Sequence, residues 1–320
     1  MKNVDKITLE NFPLEDYAEN RAKYGHMEFL RQDSCQEIAP GVKYEECVYR
    51  RGDGVEVWVY LVHLPKSAPV QLAVAAAALH TAKPVKCHAE DFEKFFNIPV
   101  LFAMNAGFFH FFIRGGTDNG DLTPYGIQVV RGVEMARPGI VKDKVWYGYN
   151  FLAVDKTGRA FISNAPEYEA KLRGTLEYAV GGGMRLIREG KVFLYTDPLG
   201  KSEVKAPRTA VGFDADGNAI LMCCDGRSKR SGGMSLADEI DLYMQLGNIT
   251  ELLNLDGGGS TTVVVKNRDG EHQIRNIPSG PAFPFSAERY GYEKTEPVGG
   301  EQARGVSDAV LIIPKQYPTT

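Results

Sequence analysis

Five times along this chain a run of β-forming residues meets a short Asp, Gly or Asn turn and is followed at once by a second β-rich run. The segments are VYRRGDGVEVWVYLV (48–62), FLAVDKTGRAFIS (151–163), LIREGKVFLY (186–195), AVGFDADGNAILMCC (210–224) and VVVKNRDGEHQI (263–274). Turn residues that tolerate positive φ, set between two extended runs, close an antiparallel hairpin. The hairpins share no longer period, so a solenoid is not indicated. Helical pattern is rarer. SLADEIDLYMQLGN (235–248) offers Ser235 as N-cap, Asp238 three residues on, apolar positions 236, 240, 243, 244 and 246, and Gly247 as a stop. AEDFEKFFN (89–97) reads as a second, shorter helix that Pro99 helps to end before the strand VLFAM. The pattern predicts an α+β protein: a strand-dominated single domain with mixed sheets, several hairpins and a few helices. No low-complexity linker divides it, so residues 1–37 read as an N-terminal lead-in and 38–316 as one domain. The Pro- and Gly-rich segment 275–300 reads as a long irregular loop, a kind that is often functional in compact domains.

A chain of 320 residues with 43% hydrophobic content can build a large core. The net charge of −4 and the lack of a Lys/Arg block remove the electrostatic footprint that nucleic acid requires. The longest apolar stretch, LAVAAAAL (72–79), is far shorter than the roughly 20 residues a membrane helix needs, so no membrane span is expected. The N-terminal MKNVDKITLENFPLEDYAEN lacks the apolar centre of a secretory signal. The five cysteines (35, 47, 87, 223, 224) form no C-x-x-C pair, and the adjacent Cys223 and Cys224 point to opposite faces of a strand. Buried thiols in a reducing compartment, and hence a cytoplasmic protein, are the expectation; export with a missing signal is the alternative.

The stretch NLDGGGSTT (254–262) places Asp256 after a predicted strand, followed by Gly257, Gly258 and Gly259 and then the hydroxyls of Ser260 and Thr261. Three residues without Cβ let a ligand approach backbone N–H groups closely, as an anion or a sugar hydroxyl would require. A Walker A loop would need Lys before Ser260, where Gly259 stands; the G-x-G-x-x-G fingerprint and the G-x-S-x-G elbow do not occur here. MNAGFFH (104–110) offers Asn105 at a strand end and Gly107 in a turn, with His110 among four Phe residues and more suited to a structural place than to catalysis. APRTAVGFD (206–214) sets Arg208 and Thr209 at a strand start, and CCDGRSKRSGG (223–233) sets Asp225 and Arg227 at the far end of the next strand. Arginine's planar fork suits a phosphate or carboxylate. DADGNA (214–219) has glycine one position too early for a calcium loop and reads as a hairpin turn. GGTDNGD (115–121) is the better oxygen-rich loop, and Asp118, Asn119 and Asp121 leave room there for a weak divalent-metal site, although no metal or cofactor is required.

Taken in order, NAGFF, GGGMRLIREGKV (181–192), PRTAVGFDADGNAILMCCDGR and SLADEIDLYMQLGNITELLNLDGGGSTTVVV resemble the phosphodiester glycosidases, over about 38–316. The resemblance implies an α+β catalytic domain whose loops converge on one cleft. It implies as site residues Asn105, Gly107, Arg208, Thr209, Asp225, Arg227, Asp256, Gly257, Gly258 and Ser260. The family's last motif, a Glu-Arg pair before a final strand, is matched by Arg304, but Ala303 stands where Glu is expected; Glu301 or Asp308 would have to replace that acid. The implied ligand is a small-molecule glycosyl phosphate, GlcNAc-1-phosphodiester-like or nucleotide-sugar-like. Asp256 is the first choice for the catalytic carboxylate and Asp225 the second, with Arg208 and Arg227 on the phosphate and Asn105 and the Gly257 and Gly258 amides on ligand oxygens. Two other readings of the same cleft remain open: a phosphodiesterase or nuclease cutting the phosphorus–oxygen bond, and a non-catalytic glycosyl-phosphate binding module. The sequence fixes neither the sugar nor the oligomeric state.

Overall fold

The computed structural model describes residues 14–78, 81–114, 117–137, 147–193, 203–279 and 303–316. In chain order the elements are β1 (Met27–Ala39), β2 (Val42–Arg51), β3 (Glu56–Leu64), β4 (Val70–Ala76), α1 (Val85–Phe96), β5 (Phe102–Asn105), β6 (Phe109–Arg114), β7 (Thr117–Pro124), β8 (Gln128–Val130), β9 (Val133–Ala136), β10 (Asn150–Asp155), β11 (Ala160–Asn164), the single turn α2 (Ala165–Glu167), β12 (Leu176–Gly181), β13 (Arg185–Arg188), β14 (Lys191–Val192), β15 (Arg208–Asp214), β16 (Ala219–Cys224), α3 (Leu236–Leu246), β17 (Ile249–Asn254), β18 (Val263–Lys266), β19 (His272–Ile274) and β20 (Asp308–Pro314). All five expected hairpins form, as β2–β3, β10–β11, β13–β14, β15–β16 and β18–β19. The protein is α+β and strand-dominated. The mixed sheets expected from sequence take a simpler form: every ladder among the described strands is antiparallel, because short turns join neighbours and a parallel pair would need a long crossover.

The largest sheet has eight strands in the order β1-β2-β3-β16-β15-β17-β13-β14. One face packs against a five-stranded sheet, β19-β18-β5-β20-β4, and the other face packs against α3. Strand β16 displays the consequence. Ala219, Leu221 and Cys223 enter the core between the sheets, while Ile220, Met222 and Cys224 enter the core beneath α3. A strand covered on both faces reads as an unbroken apolar run, and AILMCC does. Helix α3 lies close because β15 carries Gly212; a Cβ there would come within 2.7 Å of the Tyr243 ring. A third sheet, β11-β10-β12-β8-β9, has its own small core around Ile127, Phe151 and Tyr168.

Helix α3 begins where the sequence places it, with a complete capping box between Ser235 and Asp238. Helix α1 starts at Val85, four residues before the expected 89, because Val85 and His88 bury along the same face as Ala89 and Phe92; Asn97, left-handed at φ 54°, closes it. Strand β1 runs across the boundary at 37/38 and pairs with β2 along its length. Tyr24 ahead of it and Met27 at its start are buried in the core under α3, and the Met27 N–H donates to Asp241 at 2.6 Å. The segment from Leu14 to Glu37 therefore contributes directly to the packed fold. All five cysteines are free, with Cys47, Cys223 and Cys224 buried. No helix among the described residues is long and apolar enough to cross a membrane.

Candidate active site

The antiparallel order brings the chemistry-bearing motifs to one edge. In the large sheet β16 ends at Cys224, β15 begins at Arg208 and β17 ends at Asn254; in the facing sheet β5 ends at Asn105 while β18 and β20 begin at Val263 and Asp308. Adjacent antiparallel strands alternately arrive at and leave the same edge, so six segments distant in sequence meet there. The chain passes from one sheet to the other through Asp256 and the glycines. Asp256 N donates to Ala106 O at 2.8 Å, Leu255 N to Thr209 O at 2.8 Å and Gly258 N to Pro207 O at 2.8 Å.

Asn105 is the knot of this crossing. It is fully buried; its amide donates to Asp256 O at 2.6 Å, and its oxygen accepts from Thr209 Oγ1 at 2.9 Å and from Thr262 N at 3.1 Å. Asp308 is buried likewise, accepting from Gly107 N, from Gln128 Nε2 at 2.6 Å and from Ser307 Oγ at 2.8 Å. Gly107 is required at its turn because an added Cβ would sit 3.0 Å from both the Asp308 carboxylate and Gly181 O. Asn105, Gly107, Thr209 and Asp308 were expected to touch a ligand. The structure sets them behind the cleft, with their polar atoms committed to fixing the Asp256 backbone and the turn after β5. The sequence motif is the same for a residue that binds a ligand and for one that holds the loop that does.

The cleft encloses about 550 Å³. Asp256 stands at its floor with Gly257, Gly258 and Gly259, and Arg208, Arg227 and Arg304 line it. Phe108 and Tyr147, ring centroids 4.3 Å apart, form an aromatic wall beside Met184. Arg208 is held by Met234 O at 2.9 Å and Val204 O at 2.7 Å. Arg227 adopts a left-handed backbone, φ 59°, and its guanidinium lies over Gly258, where an added Cβ would come within 3.1 Å of it. Gly258 itself is left-handed at φ 62°, and a Cβ on Gly257 would strike Pro207 O at 2.6 Å. These two glycines are therefore demanded by the fold as well. Their amides are spent: Gly257 N donates to Asp256 Oδ1 at 2.9 Å, and Gly258 N to Pro207 O. The backbone donors expected to hold ligand oxygens instead orient the carboxylate and lock its turn.

Burial pushes the Asp256 carboxyl up to about 7, and nearby Asp308 adds to the rise; the Ser260 hydroxyl, Arg304 and the Gly257 N–H pull against it. Asp256 as a residue is partly exposed and lines the cleft. Ser260 Oγ is fully buried, and Asp256 is the acceptor within its electrostatic reach.

Asp225 has a different surrounding. It is buried away from the cleft lining, accepting from Tyr60 Oη at 2.8 Å, Asn276 Nδ2 at 3.1 Å and Ile277 N at 3.1 Å, and burial raises its carboxyl above the ordinary range. Expected as the alternative catalytic acid, it serves here as a clamp on residues 276–277. Glu301 and most of segment 275–300 lie outside the described residues. For GGTDNGD, residues 117–121 run within β7 and not in a loop, because they pair with β6; the side chains of Asp118, Asn119, Asp121 and His110 lie outside the description. Among the described residues no three His, Cys, Asp or Glu side chains are grouped as metal ligands would be.

Sequence reasoning missed the aromatic wall and Leu236, although Phe108 lies inside the quoted NAGFF motif and Tyr147 beside Trp146 and Tyr149 in an aromatic cluster. It also missed Glu239, buried on α3 behind Arg208. The local signal was its spacing, three residues after Leu236 and four before Tyr243, which puts it on the apolar stripe of α3.

Fold and cleft together define an α+β protein with one carboxylate set among three arginines at the meeting edge of two antiparallel sheets. The chain belongs to the phosphodiester glycosidase family, whose model matches residues 99–312. It is similar over 77 residues, at 40% identity, to the SPbeta prophage-derived uncharacterized protein YomE of Bacillus subtilis (strain 168); the match covers 24% of this chain and 11% of that relative. The fold is similar to the catalytic domain of zebrafish N-acetylglucosamine-1-phosphodiester alpha-N-acetylglucosaminidase, auto-inhibited by its pro-peptide, with TM-score 0.61, 17% identity, and coverage of 96% of this chain and 92% of that one. It is similar also to a protein of Burkholderia pseudomallei K96243, with TM-score 0.52, 15% identity, and coverage of 83% of this chain and 77% of that one.

Proposed function

We propose that the protein hydrolyses the sugar–oxygen bond of a glycosyl-1-phosphodiester, with Asp256 activating water. The observation that carries this reading is Asp256 in a cleft lined by Arg208, Arg227 and Arg304, where burial pushes its carboxyl up to about 7. A group with that proton affinity is matched to general-base work at neutral pH. The arginines suit the single negative charge of a phosphodiester and the second charge that develops on it as the leaving phosphate monoester departs. The Phe108–Tyr147 wall offers an apolar surface to the sugar ring.

In the step proposed, water attacks the anomeric carbon and gives its proton to Asp256. The bond from that carbon to the phosphate oxygen breaks, and its electron pair leaves on the phosphate. The second proton of a phosphate monoester has a pKa of about 6, so the departing oxygen needs little protonation and one carboxylate suffices. Asp225, held in its own buried cage, is not needed. Family membership and fold support this reaction class; the sugar and its aglycone are proposed only as GlcNAc-1-phosphodiester-like or nucleotide-sugar-like.

The test is a panel of glycosyl-1-phosphodiesters, including a nucleotide sugar, incubated in ¹⁸O-water with wild type and Asp256→Asn. Label in the free sugar, lost with the substitution, supports the reading. Label in the phosphate would make the protein a phosphodiesterase, and binding without turnover would make it a glycosyl-phosphate binding module.

A further inference from the structure

Glu239 is the buried acid for which the proposed reaction has no use. It lies in the first turn of α3, is wholly inaccessible to solvent, and neither carboxyl oxygen has a hydrogen-bond partner among the described residues. An unpartnered carboxyl in such a place costs stability, and a hydrophobic residue would fill the space more cheaply. Its surroundings explain what it can do. Leu236, three residues before it on α3, lines the same cleft as Arg208, and the titratable groups coupled to it by charge are Arg208 from β15, Cys224 from β16 and Tyr243 from its own helix. Burial drives the Cys224 thiol and the Tyr243 hydroxyl well above their ordinary ranges, so both are neutral and Arg208 is the charge that acts on the acid. Arg208 spans two settings: its guanidinium lines the cleft, and its root lies opposite Cys224 in the β15–β16 ladder, on the sheet that α3 covers.

We propose that Glu239 is a positioning residue and proton-gated counter-charge for Arg208, leaving that cation to an anion in the cleft while neutral and drawing it away when ionised. Burial pushes the Glu239 carboxyl up to about 8, with Arg208 opposing the rise. At neutral pH the acid therefore holds its proton and Arg208 offers its full charge to the cleft. As pH rises through about 8, a negative charge appears behind Arg208, cancels part of its field and pulls on the guanidinium. Anion affinity then falls. Linkage requires the reverse effect too: an anion on Arg208 makes ionisation of Glu239 harder and raises its proton affinity.

The proposal rests on Arg208 holding an anion, and not on hydrolysis. Sulfate is the probe, because its charge is constant from pH 6 to 9. Asp256 also titrates within the cleft, so sulfate affinity is measured by calorimetry in Asp256→Asn and in Asp256→Asn/Glu239→Gln. We expect the single variant to lose roughly fivefold in affinity between pH 7 and 9, as one unit of coupled pKa shift from a midpoint near 8 gives over that range, and the double variant to lose less than twofold. An equal decline in both variants, or none in the single variant, overturns the role of Glu239 and leaves the anion site standing. Failure of sulfate to bind at any pH overturns the anion site and the proposal together. A second measurement needs no substitution at Glu239: ¹³C titration of the glutamate carboxyls in the Asp256→Asn background, with and without saturating sulfate. A buried carboxyl whose midpoint moves up on adding sulfate supports the coupling; midpoints unmoved by bound sulfate refute it.

Discussion

The two edges of the sheet sandwich use aspartate and asparagine in opposite ways. At the edge far from the cleft, each turn satisfies itself. Asp214 accepts from the N–H groups of Asp216 at 3.0 Å and Asn218 at 2.8 Å, and Asn267 accepts from those of Asp269 at 2.9 Å and Glu271 at 2.8 Å. At the cleft edge local bonds such as Gly257 N to Asp256 Oδ1 are joined by contacts between segments distant in sequence. Asn105 ties Asp256 across 151 positions of sequence, Asp308 holds Gly107 across 201, and Asp225 holds Tyr60 across 165. Local acids make a turn stable by themselves, whereas the cleft exists only when the two sheets have closed on each other. Among these long-range groups, Asp256 is the one that lines the cleft.

That contrast can be broken most directly at Asp256. Replacement by Asn keeps its shape and removes the base, and turnover of a glycosyl-1-phosphodiester should fall by roughly a thousandfold or more, at the upper end of what one general base contributes. Folding, followed by thermal unfolding, should be unchanged or improved, because a carboxyl with a raised proton affinity is costly to ionise. The sign follows from its folded value near 7 against an ordinary 3.8: its ionisation reduces stability as pH rises through that window. Activity runs the other way. The base must be ionised, so kcat/KM should drop about tenfold per pH unit below 7 and level off above it until the Arg208 coupling intervenes. A flat profile from pH 5 to 7 would exclude Asp256 as the base.

The same contrast explains what was legible in the sequence. Each hairpin announced itself because its turn residues and its strands are neighbours in the chain, and α3 because Ser235 and Asp238 cap it within four residues. The cleft's members were found as residues, but their tasks were not. Asp225 and Asp256 each follow a strand and each precede glycine, so the local pattern is identical. What separates them is Tyr60, Asn276 and Ile277 around one and open cleft around the other, and those neighbours arrive from distant segments. Gly257 and Gly258 misled for a related reason: close approach of a ligand and close approach of Pro207 and Arg227 call for the same missing Cβ. Glu239 was legible as an acid on the apolar face of α3, between Leu236 and Tyr243, but its nearness to Arg208 was not, because Arg208 arrives from β15.

Stability measurements sharpen the contrast further. Asn105→Ala should destabilise by about 3 kcal/mol, since it leaves the Thr262 N–H and the Asp256 carbonyl without their side-chain partner and Thr209 Oγ1 with only its longer contact to Thr261 Oγ1, in a sealed site. Because it also frees the Asp256 backbone, its activity loss should exceed what the remaining folded fraction explains. Asp225→Ala should cost about 2 to 3 kcal/mol by stranding the Tyr60 hydroxyl and the Asn276 and Ile277 donors, with the folded fraction keeping most of its turnover if Asp225 is a clamp. Loss of chemistry in well-folded Asp225→Asn would return it to the catalytic set.

The smallest effect belongs to the far edge. Asp214→Ala removes an acceptor from the Asp216 and Asn218 N–H groups and from Asn218 Nδ2 at 2.7 Å, but these groups lie at an exposed turn where water replaces the carboxylate. The cost should be about 1 kcal/mol by denaturant unfolding, with kcat and KM unchanged. The value of this variant is that it leaves the β15–β16 ladder intact while altering the end opposite Arg208. Were turnover to fall with Asp214→Ala in a protein that remains folded, the two edges would be coupled through β15, and the division between a self-sufficient turn edge and an assembled cleft edge would not hold.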